Sequence, residues 1–378
     1  MNTPPDTIII LAPVAPFRGG IARHSSSLAR ALARTPGINL IVESFERLYP
    51  RLLYPGLDDR DRNQAALKDL TIRYDLDTLN PLSWRRAVTR ISAHRPKLVV
   101  IPAWTFFVSP GLAAIARALR RRGIPVVQIV HNIVDHEGVW WKRWLCERQL
   151  QAADIYITHG EALADQLRTI AAERPVLICS HPAYADYPPP STRLRREFSL
   201  ELLCFGLVRP YKGVDLAIEA LGSLRDKDVR LTVAGEVWGD IGEWRSLAAD
   251  HGVADRVEFI PRYVSDQEAA DLFDRADAVL APYRSMSGSG VAALSAHYRR
   301  PVIASDLPGF AEIVVPGRNG WLFPAGNSAA LADLIASEVT RERAAALSAT
   351  MPVSADETGW DEFAAALLNC RRGAEICQ

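Results

Sequence analysis

Leu202-Leu203-Cys204-Phe205-Gly206-Leu207-Val208-Arg209-Pro210-Tyr211-Lys212-Gly213-Val214-Asp215 is the stretch that decides the fold. Its first six residues make an apolar run of the length of a buried parallel strand. Pro210 and Gly213 punctuate a short loop, and a helical pattern follows over 214–224. A strand feeding a helix through a tight glycine turn is the opening unit of a βαβ fold. The loop also sets Arg209 and Lys212 beside a helix start, where unpaired N–H groups and the helix dipole favour an anion. The competing reading is a plain turn with solvated cations.

The alternation extends in both directions. Downstream, 230–234, 257–260, 278–281 and 301–304 read as strands, separated by helices at 241–251, 266–275 and 291–298. Upstream, strands are expected at 7–14, 98–104, 125–131, 155–159 and 176–180, with helices at 21–34 and 112–122. Segment 43–90 is polar in places and yields no clear elements. Such alternation implies parallel sheets, right-handed crossovers and ligand loops at the strand carboxyl ends. The fold class is therefore α/β, with two Rossmann-like doubly wound halves. A length of 378 residues suits two domains. Pro182 and Pro188-Pro189-Pro190 mark the linker. The expected division is 1–187, a Pro-rich linker at 188–200, 201–355, and a C-terminal segment 356–378 with a helix over 358–371.

Composition excludes several classes. With 44 Lys+Arg against 44 Asp+Glu the formal net charge is +0, so no overall basic field exists for nucleic acid. Cys146, Cys179, Cys204, Cys370 and Cys377 are scattered and show no CxxC spacing. They argue against a disulfide framework or a thiolate metal site and fit a reducing cytoplasm. The start lacks a basic leader, and no apolar stretch approaches the ~20 residues of a membrane span. Peripheral membrane contact stays open.

Four other segments carry chemistry or its bland equivalent. The first half opens with Pro16-Phe17-Arg18-Gly19-Gly20, an echo of the Arg209–Gly213 loop. Its glycines either let the backbone approach a ligand or only let the chain turn. Ser285-Met286-Ser287-Gly288-Ser289-Gly290 can cradle a phosphate or sugar hydroxyls, or can be a flexible cap. His131-Asn132-Ile133-Val134-Asp135-His136-Glu137 lies at a strand's carboxyl end. His and carboxylate together suit acid–base work, and the spacing is not that of HExxH, so no metal is expected. Trp140, Trp141 and Trp144, beside Lys142, Arg143 and Arg148, are expected to pack into the core, with a membrane interface as the alternative.

Together these segments resemble glycosyltransferase family 4, the retaining enzymes that use nucleotide sugars. Phe205–Asp215 resembles that family's donor-phosphate loop. Ala281-Pro282-Tyr283-Arg284 through Ser289-Gly290-Val291-Ala292-Ala293-Leu294 resembles its nucleotide-sugar loop. The run 300–312, ending in Pro308-Gly309-Phe310-Ala311-Glu312, and Gly317-Arg318-Asn319-Gly320-Trp321-Leu322 complete the order. Phe17–Ala22 and His131–Glu137 match in the first half. The resemblance implies a GT-B fold of two Rossmann-like domains and transfer of a hexosyl group from a UDP- or GDP-sugar to a hydroxyl acceptor. It implies no bound metal and no cofactor beyond the donor. Arg209 and Lys212 would neutralise the departing diphosphate, and Gly19 and Gly20 would approach the same phosphates. Ser287, Gly288, Ser289, Gly290 and Val291 would hold the sugar or phosphate, with Ser295 and Glu312 on the donor side. His131 would stand near the reacting sugar. The expected partners are a nucleotide sugar and a glycan, lipid-linked sugar or small-metabolite acceptor, with no nucleic acid; the expected place is the cytoplasm, or the inner face of its membrane.

One departure matters. The family's two Glu positions, eight apart, read Ser287 and Ser295 here. Serine has neither the reach nor the charge of a carboxylate. Two alternatives stand beside transfer: a nucleotide-sugar epimerase on the same fold, which the missing carboxylates weaken no less than transfer, and a non-catalytic binding or scaffold subunit, which the two serines suggest.

Overall fold

Ile8, Ile9, Ile10 and Leu11 are all buried, as a strand covered on both faces requires. The computed structural model describes residues 4–49, 59–61, 67, 69–133, 139–184, 186–286, 290–352 and 358–376. It divides into two units, Met1–Pro182 with Glu357–Gln378, and Ala183–Asp356.

The first unit runs β1 (Asp6–Leu11), α1 (Gly20–Arg34), β2 (Ile38–Arg47), β3 (Thr71–Asp77), α2 (Pro81–Ala93), β4 (Leu98–Ala103) and α3 (Ser109–Arg120). It continues with β5 (Val126–Val130), α4 (Trp140–Leu150), β6 (Ile155–Thr158), α5 (Glu161–Ile170) and β7 (Val176–Ile178). Its seven strands lie in the order β3-β2-β1-β4-β5-β6-β7, all parallel.

The second unit runs β8 (Leu200–Phe205), α6 (Val214–Ser223), β9 (Val229–Ala234), α7 (Ile241–Asp250), β10 (Val257–Ile260) and α8 (Asp266–Arg275). Then come β11 (Ala278–Ala281), α9 (Gly290–His297), β12 (Val302–Ser305), α10 (Pro308–Ala311), β13 (Gly320–Phe323), α11 (Ser328–Ser337) and α12 (Arg341–Thr350). The order is β10-β9-β8-β11-β12-β13, again parallel throughout. In each sheet the order reverses beside the first strand, between β1 and β4 and between β8 and β11. Crevices at such reversals are where doubly wound sheets hold ligands.

The last helix, α13 (Thr358–Ile376), belongs to the first unit. It buries Trp360, Phe363 and Leu367. The Trp360 ring meets His24 of α1 at 4.9 Å, and Asp361 pairs with Arg34 at 2.7 Å. The division between units falls at Pro182, ahead of the proline cluster. Pro188 and Pro189 are already fastened to the second unit, accepting from Tyr298 Oη and Gln267 Nε2.

β2, β3 and α2 occupy the segment that showed no clear pattern. β2 hides Glu43 and Ser44 among its apolar residues. Arg90 of α2 satisfies that carboxylate with two bonds, at 3.2 and 2.6 Å. β3 is an edge strand whose Arg73 and Asp75 are half-exposed or more, the usual guard on an unpaired edge. α4 corrects the expectation of core tryptophans: Trp140 is 79% exposed, Trp141 41% and Trp144 48%.

Arg90→Ala should strand a buried carboxylate and lower unfolding stability by about 3 kcal/mol. Glu43→Gln combined with Arg90→Ala should recover part of that loss. Urea unfolding followed by circular dichroism measures both, and an unchanged midpoint for Arg90→Ala would refute the pairing.

Candidate functional site

The carboxyl end of β8 is shaped by close backbone approaches. Gly206 takes φ +92 and bonds its N–H to Ala234 O. Gly213 takes φ +68 and begins α6; a Cβ there would stand 1.9 Å from Pro282 O. Only glycine allows the loop after β8 to lie so close to the loop after β11. Arg284 locks the two together: its N–H donates to Tyr211 O at 2.7 Å, and its guanidinium grips Asp215 at 2.7 and 2.6 Å.

Within this frame lie the two expected cations. Between them, Pro210–Lys212 forms a single 3-10 turn. Lys212 Nζ comes within 3.4 Å of the position a Gly206 Cβ would take, and Val291 Cγ2 of α9 within 3.5 Å. The ammonium lies 5.3 Å from the Tyr283 ring centre. Among the described residues no acceptor is assigned to Lys212 Nζ. Burial first, and then Arg209, lowers the Lys212 pKa to about 8. Arg209 places its guanidinium 3.6 Å over the Trp238 ring. Trp238 is held there by backbone bonds between its strand-end loop and Val208. A small open recess lies here, lined by Gly206, Lys212, Pro282 and Tyr283. Beneath it, burial pushes the Cys204 thiol up to about 12, so Cys204 is an inert wall.

The other expected residues fall variously. Gly290 and Val291 open α9, and Val291 Cγ2 faces Gly206. Ser287, Gly288 and Ser289 lie outside the described residues, as do His136 and Glu137. Ser295 is fully buried, and its hydroxyl donates to Arg300 O at 2.6 Å. Glu312 is exposed just after α10. In the first unit Gly19 (φ +98) is the N-cap of α1 without a side-chain cap. A Cβ at Gly19 or Gly20 meets nothing within 4 Å, so both glycines border open space. His131, directly after β5, turns into a group of histidines with His24 and His159.

Trp238 is a part of the site that no sequence motif marks. Tyr283 and Arg284 lie in the segment that resembles the nucleotide-sugar loop, where the sequence gives neither a role of its own.

Residues 19–183 match the family model described as Glycosyl transferase 4-like domain, and residues 199–340 match Glycosyl transferases group 1. The chain belongs to the family 4-type GT-B glycosyltransferases. A GDP-mannose:glycolipid 4-beta-D-mannosyltransferase of Xanthomonas campestris pv. campestris is 27% identical over 56% of this chain and 58% of its own length. A D-inositol 3-phosphate glycosyltransferase of Xylanimonas cellulosilytica is 34% identical over 44% of this chain and 41% of its own. The chain thus spans about half the length of these curated relatives. The structure of Anabaena HepE in complex with UDP-glucose is similar in fold, with TM-score 0.70, 19% identity, and coverage of 96% of this chain and 99% of that one.

Two glycine variants separate fold from ligand in this family member. Gly213→Ala should destabilise by about 2 kcal/mol or more, through its φ and the contact with Pro282 O. Gly20→Ala should leave the thermal midpoint within about a degree, since its space is open and its backbone ordinary. Differential scanning calorimetry of the two proteins checks the contrast.

Proposed function

We propose that the chain transfers a hexosyl group from a nucleoside-diphosphate sugar to a hydroxyl acceptor, with retention at the anomeric carbon. The observation that carries this is Lys212: a half-buried ammonium with no hydrogen-bond acceptor among the described residues, beside a glycine that keeps the backbone open. Burying such a charge is costly unless an anion arrives. In the reaction the bond from the anomeric carbon to the diphosphate oxygen breaks, and negative charge gathers on the diphosphate. Arg209 and Lys212 are fixed where that charge develops, and fixed donors in a water-poor site are the largest usual catalytic contribution. The relatives named for GDP-mannose and for D-inositol 3-phosphate, and the neighbour solved with UDP-glucose, support a sugar nucleotide and a hydroxyl acceptor.

A specific observation favours an acceptor at a membrane. α4 presents Trp140, Trp141 and Trp144 to solvent, with Arg148 stacked 4.5 Å over Trp144 and Lys142 4.9 Å from the Phe106 ring. Aromatic rings flanked by cations suit an anionic lipid surface. No helix among the described residues is long and apolar enough to cross a membrane, so contact would be peripheral.

A screen of UDP- and GDP-sugars against hydroxyl acceptors, read by nucleoside-diphosphate release, tests transfer. Arg209→Ala and Lys212→Ala should each lower kcat by about 10²–10³-fold with the fold intact; unchanged turnover in both would sink the reading.

Lys212 also fixes a pH dependence. Its ammonium is the anion-binding form and is present below about pH 8. Nucleoside-diphosphate affinity should therefore fall as pH rises through 8, and binding near pH 8 should take up protons. Calorimetry in buffers of different ionisation enthalpy measures this. The folded pKa lies below the unfolded value, so the folded state binds fewer protons between about 8 and the ordinary lysine pKa. The charge then costs stability at pH 7, and the cost fades as pH rises through that window. Lys212→Met should raise the ligand-free stability by up to about 3 kcal/mol while abolishing nucleotide binding.

Trp140→Ala with Trp144→Ala should weaken binding to vesicles rich in anionic phospholipid by about tenfold or more. Sedimentation with such vesicles decides, and wild-type protein left wholly in the supernatant would remove the membrane role.

A further inference from the structure

Four histidines, far apart in sequence, meet inside the first unit. His24 lies on α1, His131 and His159 directly follow β5 and β6, and His181 stands beyond β7. Ring centres are 4.6 Å apart for His24 and His131, 5.0 Å for His24 and His159, and 5.2 Å for His131 and His159. The rings meet at interplanar angles of 83°, 57° and 46°, so they do not stack in parallel. One ring nitrogen from each of these three lies within 4.8 Å of the other two. His181 closes the group, 4.8 Å from His159 between ring centres, with its Nδ1 on Pro182 O at 2.7 Å.

The nitrogens are unusual in what they lack. Nε2 of His24, of His131 and of His159 is buried, and none has a hydrogen-bond partner. Buried polar atoms are nearly always paired, and here three unpaired ones gather in one group. His159 also reveals its tautomer. Its Nδ1 stands 3.1 Å from Cys179 O. A carbonyl only accepts, so Nδ1 carries the proton and Nε2 presents a lone pair. A backbone carbonyl behind the ring is the usual support of a metal-binding histidine.

We propose that His24, His131 and His159 form a binding site for one divalent transition-metal ion of the zinc class. Zinc–imidazole bonds of 2.0–2.1 Å put tetrahedral donors roughly 3.4 Å apart. The three nitrogens therefore need to draw together by at most about 1.4 Å. An all-imidazole set suits zinc, copper or nickel and disfavours magnesium or calcium. The ion would tie α1 to the ends of β5 and β6, beneath Trp360 and Phe363 of α13, whose rings lie 4.9 and 5.5 Å from His24. This assigns His131 to the ion, where the family resemblance puts it beside the sugar.

The full-length, untagged chain, stripped with chelator, is titrated with Co²⁺ and then Zn²⁺. One Co²⁺ per chain is expected, with the visible bands of a four-coordinate site, displaced by Zn²⁺ and accompanied by a higher thermal midpoint. His159→Asn should weaken Co²⁺ binding beyond the roughly 10–100-fold that loss of a supporting group costs, with the metal-free circular dichroism unchanged. His94→Asn, at an exposed histidine, should leave affinity unaltered. If His24→Asn fails to fold, the partly exposed His159 position still decides. Absence of Co²⁺ and Zn²⁺ binding at millimolar metal overturns the proposal, as does equal affinity in wild type and His159→Asn.

Discussion

The second unit depends on one backbone contact, the packing of Gly213 against the Pro282 carbonyl. It lets two loops, each at the end of a neighbouring parallel strand, share one small space. Arg284 then fastens them through Tyr211 O and Asp215. With the walls fixed in this way, Lys212 has little freedom to swing out to bulk water, and its charge is tolerated at some cost to the empty protein. Arg209 is restrained differently, by the Trp238 face beneath it. The two cations are thus preorganised by unlike means: enclosure for one, stacking for the other.

Much of this was readable from residues alone. Apolar runs such as 98–104 and 278–281 contain β4 and β11, because strands buried on both faces leave little ambiguity of pattern. β2 resisted because Glu43 interrupts its apolar run, and the partner that makes that tolerable, Arg90, is 47 residues away. β3 resisted because an edge strand needs charges. The cationic loop was readable because its residues are adjacent in sequence.

The histidine group shows the opposite limit. Metal-ligand spacing is legible in a sequence only within a single segment, as around His131 and Glu137, where two ligands would share one loop. In a doubly wound sheet, however, the carboxyl ends of neighbouring strands are brought side by side whatever their separation in sequence. His131 and His159 are neighbours because β5 and β6 pair, and His24 joins them from α1. No local pattern could reveal that. The tryptophans of α4 were likewise ambiguous from composition, since a ring that packs and a ring that waits for lipid look alike in sequence.

The assignment of α13 to the first unit has a consequence for biosynthesis. In chain order the second unit, Ala183–Asp356, is an insertion within the first. On the ribosome, where domains generally fold from the N-terminus onward, α1 emerges long before the helix that covers it. His24 and the apolar residues facing Trp360 and Phe363 must wait uncovered while the whole second unit is synthesised. The first unit can close only when α13 has followed the second unit, and the interval between is when it is most exposed to misassociation.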